Sequence, residues 1–259
     1  MSDQTLGIIG GTGWLGDGIA KGALASGLLS VDRLMLSNRS GEGELAGRGV
    51  RITTDNCELV QKSSMIMLSV RPEQFDGLTL DAAGKCVISL MAGVPASRIK
   101  AATGASVVVR AMPNAAVEIR RSFTPWFVDG ELSVADKAFV QRLFESVGDA
   151  AEVPLEDHID YLSALSGTGP AYPALLAQAL TQGAMAQGIP ESIARRAALG
   201  VVVGSAPLLA ERSAEQLIEA LMAYRGVTAA GLQALTDGGF EGLVGRAIEA
   251  GATVARKGM

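Results

Sequence analysis

The fold of this chain is decided near its start, by the stretch LGIIGGTGWLG at residues 6–16. Residues 6–9 form a short apolar run that predicts a buried strand, and the glycines that follow fit the spacing GxGxxG from Gly11 to Gly16. A helical pattern covers residues 15–26. Where a glycine-rich turn joins a strand to a helix, the backbone can approach a pyrophosphate, whose charge then lies at the helix N-terminus. The stretch therefore predicts a dinucleotide-binding turn, and the alternative is a turn that binds nothing.

The predicted cofactor contacts fall in this turn and at the end of the second strand. In the turn they are Gly10, Gly11, Thr12, Gly13, Trp14 and Leu15. About 20 residues on, where an NAD site carries a carboxylate for the ribose hydroxyl, the chain has Ser37, Asn38 and Arg39. Arg39 would hold a 2′-phosphate by charge-assisted hydrogen bonds, whereas a carboxylate would repel one. The sequence therefore predicts NADPH rather than NADH, and the alternative for Arg39 is a solvated loop residue.

The rest of the chain divides into two halves with different patterns. Short apolar runs predict further strands at 33–37, 65–70, 86–90, 106–111, 122–128 and 149–153. Strands separated by helical stretches predict a parallel sheet covered on both faces. From Pro154 onward the pattern is helical, with long helical regions expected at 155–188 and 190–211. We therefore predict an α/β fold, with an N-terminal Rossmann-type NAD(P)-binding domain at 1–153 and an all-helical C-terminal dimerisation and substrate-binding domain at 154–259.

Composition excludes several other classes of protein. The 259 residues are 48% hydrophobic and carry a net charge of −5 with scattered basic residues, so no nucleic-acid partner is expected. No apolar run is expected to reach the roughly 20 residues of a membrane span, and no signal peptide is expected. Cys57 and Cys86 lie apart and predict buried, reduced thiols in a cytoplasmic protein without a metal site. The helical half has more apolar surface than it can bury alone, which predicts a homodimer.

The sequence contains few side chains that could transfer a proton during hydride transfer. The single histidine, His158, lies among acidic residues at a helix start and is expected at the surface, and no lysine occurs between Lys137 and Lys257. Alcohol-oxidising dehydrogenases need such a group to carry a proton. A protonated imine accepts hydride readily and the product amine keeps its proton, so no strong base is required. The sequence therefore favours reduction of an imine over reduction of a ketone.

Several motifs occur together in one order along the chain. They are Ser69–Pro72, Ser89–Gly93, Arg110–Asn114, Leu165–Tyr172 (LSGTGPAY) and Gly231–Ala250. With them the chain resembles the pyrroline-5-carboxylate reductase family over nearly its whole length. The resemblance implies NAD(P)H as cofactor, and a homodimer that in some members assembles further. It also implies that the active site lies where one subunit's cofactor domain meets the shared helical dimer. The residues implied at the nicotinamide end are Val70, Arg71, Pro72, Met112, Pro113 and Asn114.

The substrate loop departs from the pattern of that family. The family has a Ser-Pro-Gly-Gly-x-Thr loop before a helix, and here residues 223–228 read AYRGVT. The resemblance implies a catalytic role for Thr228, which we also expect to begin the next helix as its N-cap. It implies substrate contacts from Arg225, Gly226, Val227 and Thr168. The cofactor turn departs as well, because GGTGWLG is closer to the turn of deazaflavin-dependent NADP reductases.

Three functions remain open on the sequence. The first is NADPH-dependent reduction of a cyclic imino acid, 1-pyrroline-5-carboxylate, to L-proline in proline biosynthesis. The second keeps the fold and the hydride chemistry but takes a different or more acidic imine, because Arg225 could bind a carboxylate bidentately. The third is a family member without catalysis that only binds the dinucleotide. Deazaflavin-type chemistry is a further alternative, suggested by GGTGWLG.

Overall fold

The computed structural model describes residues 4–257, and these fall into two compact units. The first unit takes the residues up to Thr168 and those from Glu249 onward, and the second is Gly169–Ile248. The domain boundary at 153/154 stays a prediction. The boundary of the compact units lies further along the chain because the first helix after Pro154 packs against two strands of the sheet.

The first unit is built on a single sheet with helices on both faces. Its strands are β1 (Leu6–Ile9), β2 (Leu34–Ser37), β3 (Arg51–Thr53), β4 (Met65–Leu68), β5 (Cys86–Ser89), β6 (Val107–Ala111), β7 (Ser122–Asp129) and β8 (Gly148–Glu152). Its helices are α1 (Trp14–Ala25), α2 (Asn56–Lys62), α3 (Pro72–Phe75), α4 (Ala96–Thr103), α5 (Val134–Glu145) and α6 (Glu156–Leu162). The predicted strands are all present, whereas β3, α2 and α3 were not predicted. β3 escaped prediction because it is a three-residue strand at the sheet edge with no buried side chain.

The strands of residues 4–257 form an eight-stranded sheet in the order β3-β2-β1-β4-β5-β6-β7-β8. All neighbouring strands are parallel except β6 and β7, which are antiparallel with Ala111 opposite Trp126. The predicted parallel sheet is therefore present, and β6 with β7 is its one antiparallel pair among residues 4–257. Residues 112–121 between these strands contain only a short 3₁₀ turn, Ala115–Ile119, which is too short for a parallel crossover.

Burial on both faces explains the continuous apolar runs. All four residues of β1, β4 and β5 are buried. One face packs against α1 and α5 through Ile19 and Phe139, and the other against α2 and α4 through Leu59 and Ile99. A parallel sheet covered in this way needs apolar side chains at every position rather than at alternate ones.

The second unit is helical. Its helices are α7 (Ala171–Ala186), α8 (Glu191–Leu199), α9 (Leu208–Glu211), α10 (Ala214–Ala223), α11 (Val227–Asp237) and α12 (Phe240–Lys257), of which the last ends in the first unit. The long helical regions expected at 155–188 and 190–211 are each interrupted by a π-helical turn, Ser163–Gly167 and Gly200–Gly204. Each turn is followed three residues later by a proline, which lacks the N–H of a regular helix and clashes with the preceding turn.

Large apolar side chains of the second unit are exposed when it is taken by itself. α7, α9, α10 and α11 contain no buried residue, and Leu175 and Val203 are 65% and 64% exposed. Glu191–Glu211 is long and apolar enough to cross a membrane by length and composition alone, although it carries Arg195 and Arg196. The segment is not a continuous apolar run, because these two arginines interrupt it, so the expectation that no apolar run reaches about 20 residues is not contradicted.

The two cysteines are free thiols in different environments. Cys86 is buried in β5, and Cys57 on α2 is exposed. The prediction of unpaired cysteines is confirmed, and the expectation of burial holds for Cys86 only. Cys57 is exposed because it lies on the outer side of α2, whereas Leu59 and Val60 face the sheet.

Candidate functional site

The glycine-rich turn joins the ends of two strands and opens α1. Gly10 has φ +76°, and a Cβ there would lie 2.5 Å from the carbonyl oxygen of Ser69, so the turn requires glycine at this position. The backbone N–H groups of Gly10 and Gly11 both donate to the carbonyl oxygen of Ser37, at 2.9 and 3.1 Å. Gly13 is the N-cap of α1. The positive end of the α1 dipole therefore lies at the turn, where an anion would be stabilised.

A groove of about 450 Å³ opens beside this turn. It lies at the carboxyl ends of β1 and β4, the strands flanking the point where the order of the sheet reverses and where open α/β sheets bind ligands. Its lining residues are Gly10, Thr12, Gly13, Trp14, Leu15, Ser69, Val70, Arg71, Gln74 and Leu90. The structure thus brings the predicted pyrophosphate turn together with Val70 and Arg71, while Ser69, Gln74 and Leu90 were not predicted. Trp14 is 62% exposed at the start of α1.

A second groove, of about 230 Å³, continues from the first. The two share Gly10, Val70 and Gln74. The rest of its lining is Ile9, Ser37, Asn38, Arg39, Thr54, Asn56 and Leu78. None of the residues that line either groove is Asp or Glu, and Arg39 supplies positive charge to the second groove.

Asn38 and Arg39 differ in what they have available for a ligand. The Asn38 side chain donates to Thr12 Oγ1 at 2.9 Å and to the carbonyl oxygen of Glu42, and its Oδ1 accepts the backbone N–H groups of Ser40 and Gly41. Arg39 is exposed and has no ion pair within residues 4–257. Asn38 therefore shapes the loop after β2, whereas the Arg39 side chain makes no ion pair in the described part of the chain.

The segment Met112–Asn114 is held against the π-helical turn that follows α6. Its residues are buried, and Asn114 donates from Nδ2 to the carbonyl oxygen of Ser166 at 2.8 Å. Its Oδ1 accepts the N–H of Ala116. A Cβ at Gly167 would lie 3.4 Å from Met112 Cγ, so the turn and the segment are in close contact. Thr168, a predicted substrate contact, is exposed at the end of this turn.

The predicted substrate loop lies in the second unit, between α10 and α11. Arg225 has φ +53° and Gly226 has φ +74°, and α11 begins at Val227. The prediction that Thr228 is the N-cap is wrong, because Gly226 holds that position and Thr228 is the second residue of the helix. The first N–H groups of a helix have no acceptor inside it, so this end is suited to a carboxylate. Thr228 and Arg225 are exposed in the chain by itself.

The remaining titratable groups leave the groove without a strong base. His158 is exposed on α6, as expected, and none of the groove residues is His, Lys, Asp or Glu. Among residues 4–257 no three His, Cys, Asp or Glu side chains are grouped to hold a metal ion. The two grooves thus offer a dinucleotide the N-terminus of α1 and the charge of Arg39, with no strong base in their lining, and Met112–Asn114 is not among the residues that line them.

Known proteins match the chain over its full length. Residues 156–258 match the family described as pyrroline-5-carboxylate reductase dimerisation, and residues 5–93 match NADP oxidoreductase, coenzyme F420-dependent. A pyrroline-5-carboxylate reductase of Synechocystis is 32% identical, with 96% of each chain covered.

The structure of a pyrroline-5-carboxylate reductase from Coxiella burnetii has a TM-score of 0.88 at 27% identity, covering 99% of this chain and 98% of that one. The fold is also that of a Plasmodium falciparum pyrroline carboxylate reductase with NADP bound, which has a TM-score of 0.83 at 23% identity and covers 99% of this chain and 98% of that one. The chain therefore belongs to the pyrroline-5-carboxylate reductase family, a family of NAD(P)-dependent oxidoreductases.

Proposed function

We propose that the protein reduces 1-pyrroline-5-carboxylate to L-proline with NADPH, as a step of proline biosynthesis. In this reaction the hydride of the nicotinamide goes to the imine carbon, the protonated imine nitrogen becomes the ring amine, and NADP⁺ leaves. The observation that carries the proposal is the pair of continuous grooves at the carboxyl ends of β1, β2 and β4, in a chain that matches reductases of this substrate over 96% of its length.

NADPH is the proposed cofactor because of charge. The helix N-terminus at Gly13 would stabilise a pyrophosphate, and Arg39 follows β2 by two residues in a groove that no carboxylate lines. Val70, Arg71, Pro72 and the segment Met112–Asn114 are proposed at the nicotinamide end. Of these, Val70 and Arg71 line the first groove, Pro72 begins α3 directly after them, and Asn114 is buried and held in place by Ser166.

The substrate is proposed to bind through the loop at residues 223–228. The free N–H groups at the start of α11 and the backbone of Gly226 and Val227 suit its carboxylate, and the Thr228 hydroxyl lies one residue further along. Thr228 is proposed to hydrogen-bond the imine nitrogen, and Thr168 is proposed as a further substrate contact. Because the imine is already protonated, positioning is the main requirement.

A rate assay with a substrate panel tests the proposal. NADPH oxidation is followed with 1-pyrroline-5-carboxylate, with cyclic imines of other ring sizes and carboxylation, and with 2-oxo acids. The expected result is a kcat/KM for pyrroline-5-carboxylate at or near the highest of the panel. A chain that binds NADPH but reduces none of these compounds would be a non-catalytic member, and that outcome would refute the proposal.

Arg225 supports one second candidate, an imine with an additional acidic group. This residue occupies a left-handed backbone conformation, which costs about 1–2 kcal/mol outside glycine, and its guanidinium is exposed at the N-terminus of α11. A guanidinium there could bind a second carboxylate. In the same panel, Arg225→Gly would then lose activity with the dicarboxylic imine and keep or gain activity with pyrroline-5-carboxylate.

We propose that the chain works as a homodimer, with higher assemblies built of dimers, in the cytoplasm. The matched dimerisation family covers residues 156–258, and the exposed apolar side chains of the second unit need a partner to be buried. Glu191–Glu211 lies inside that region, so we assign its apolar surface to a second copy of the chain rather than to a membrane. The unpaired thiols fit a reducing compartment.

A further inference from the structure

Arg110 is a charged residue at the fourth of the five positions of the apolar strand β6, and its side chain is only 3% exposed. Its Nη1 donates to Glu156 Oε1 at 2.9 Å, and its Nη2 donates to Asp160 Oδ1 at 2.8 Å. The two carboxylates are four residues apart on α6, so a single guanidinium spans two successive turns of that helix. This geometry holds both the rotation and the axial position of α6 against the sheet.

The stability of the fold alone does not account for this group. A buried ion pair or triad can often be replaced by apolar side chains without loss of stability, because desolvation offsets the attraction of the charges. Arg110 Nε also lacks a hydrogen-bond partner among residues 4–257, although the side chain is buried. Glu156 Oε1 accepts a second hydrogen bond, from the backbone N–H of Ala96 at the start of α4. The guanidinium thus binds two carboxylates on one helix, although this leaves its Nε–H without a hydrogen-bond acceptor.

The same strand segment also holds the far end of α6. The helix runs directly into the π-helical turn Ser163–Gly167, and the carbonyl of Ser166 accepts the hydrogen bond from Asn114 Nδ2 at 2.8 Å. Asn114 follows Arg110 by four residues. The strand segment from Arg110 to Asn114 is therefore hydrogen-bonded to α6 at one end and to the π-helical turn at the other. Because α6 and the turn are continuous in the chain, the position of the turn depends on the position of α6.

We propose that Arg110 is a positioning residue for hydride transfer, which through Glu156 and Asp160 sets the place of the π-helical turn and of Thr168 relative to Met112–Asn114. The inference rests on the proposed function, in which these residues line the site. Arg110 carries no proton in the reaction, since its guanidinium stays charged at all physiological pH values. Its effect is on geometry, and small misplacements of reacting groups cost a large part of the rate.

The decisive variant removes all three charges at once. Single substitutions such as Arg110→Met leave two partly buried carboxylates without their cation and can destabilise the fold for that reason alone. In Arg110→Met/Glu156→Gln/Asp160→Asn no charge is stranded, and the glutamine introduced in place of Glu156 keeps an oxygen for the N–H of Ala96. The matched control is Lys137→Met/Glu152→Gln, which removes an exposed ion pair of 2.6 Å from the same unit.

The triple variant is expected to fold and to bind NADPH with a Kd within about threefold of wild type, because the two grooves are lined by other residues. Its kcat is expected to fall roughly 10- to 100-fold, with a smaller change in KM for the imine. In hydrogen-exchange mass spectrometry, a peptide covering 163–168 is expected to exchange at least about tenfold faster, with peptides of β1, β4 and β5 unchanged. The control variant is expected to match wild type in all three measurements.

Each outcome decides a separate point. A folded triple variant with wild-type kcat and wild-type exchange at 163–168 would mean that Arg110 has no positioning role, and a slow variant with unchanged exchange would mean that it acts by another route. If wild type reduces no imine, the proposed function fails and the catalytic part of this inference fails with it. The exchange measurement then still shows whether Arg110 positions the turn, so the two failures are distinguishable.

Discussion

Asn38 Nδ2 donates to Thr12 Oγ1 at 2.9 Å and joins the loop after β2 to the glycine-rich turn after β1. The loop after β2 carries Arg39, and the glycine-rich turn lies at the start of α1. The loop proposed to bind the 2′-phosphate and the turn proposed to bind the pyrophosphate would therefore stabilise each other's position. The connection depends on the threonine of GGTGWLG, the part of the turn that departs from the pattern of the family.

This hydrogen bond predicts an effect of Thr12→Val, which keeps the shape of the side chain and removes the acceptor. We expect the Kd for NADPH to rise about fivefold. A neutral hydrogen bond contributes about 1 kcal/mol to the stability of the binding conformation of the loop, and this free energy would be lost from binding. Fluorescence titration with NADPH measures this effect. Thr12→Ser is the control and should bind as wild type does; equal affinity of the valine and serine variants would contradict the role of the hydroxyl.

Arg39→Ala is expected to lower the preference for NADPH over NADH. A charge-assisted hydrogen bond contributes about 1.5–3 kcal/mol, so the ratio of the two kcat/KM values should fall roughly 10- to 100-fold, mainly through NADPH. The control is Arg48→Ala, which removes an equal charge from an exposed residue outside both grooves. An unchanged cofactor ratio in Arg39→Ala would show that this arginine is only a solvated loop residue.

Thr228→Ala is expected to lower kcat with the imine about tenfold or more while the Kd for NADPH stays the same. The reason is that the cofactor grooves lie in the first unit, whereas Thr228 lies at the start of α11 in the second. Steady-state kinetics and a separate NADPH titration distinguish the two effects. Thr228→Ser should retain most of the rate, and full activity of the alanine variant would remove the catalytic role.

Gly251 and Gly245 on α12 should respond differently to alanine. A Cβ at Gly251 would lie 2.9 Å from Ala164 Cβ in the π-helical turn, while a Cβ at Gly245 meets nothing within 4 Å. Gly245→Ala is therefore expected to raise the free energy of unfolding by about 1 kcal/mol through helix propensity. Gly251→Ala should show no such gain, because the added methyl group is forced against the turn. Denaturant unfolding measures both, and an equal gain at the two positions would show that α12 does not contact the turn closely.

Cys86 is expected to make the protein less stable at alkaline pH. Burial, with a smaller contribution from the charge of Asp136, raises the pKa of its thiol from 9.0 to about 12. The raised pKa means that the stabilising contribution is complete below pH 9 and is lost as the pH rises from 9 to 12, at about 1.4 kcal/mol per pH unit. Unfolding of wild type and Cys86→Ala at pH 7 and 10.5 tests this prediction: the stability difference should shift in favour of the variant at the higher pH. A difference that is the same at both values would contradict it.

Much of the cofactor half was predictable because its signals are local. The run at residues 6–9, the glycines after it and the helical pattern at 15–26 lie next to each other in sequence, and the structure places them as predicted. The place of Val70 in the same groove was predicted from the family motif, and parallel strands bring their carboxyl ends to one edge. Thr54 and Asn56, which line the second groove, had no such signal because β3 is short and exposed.

The helical half was less predictable, because a repeating pattern identifies a helix but not its interruptions. Residues 163–167 and 200–204 lie in long helical patterns, yet both are π-helical turns; the local signals were glycines within each turn and a proline three residues after it. At residues 223–228 a threonine before a helix suggested an N-cap, whereas Gly226 holds that position with a φ of +74° and the helix begins one residue before the threonine.

The sequence by itself determined the class of fold, the dinucleotide turn and the family, because each depends on the order and spacing of neighbouring residues. Only the tertiary structure decided that β7 runs antiparallel to β6. It also decided that Arg110 binds Glu156 and Asp160, 46 and 50 residues away, and that Asn114 binds the carbonyl of Ser166. Those contacts join residues distant in sequence, and their formation depends on how helices pack on a completed sheet. Periodicity reports which face of an element is buried, but not which partner meets it.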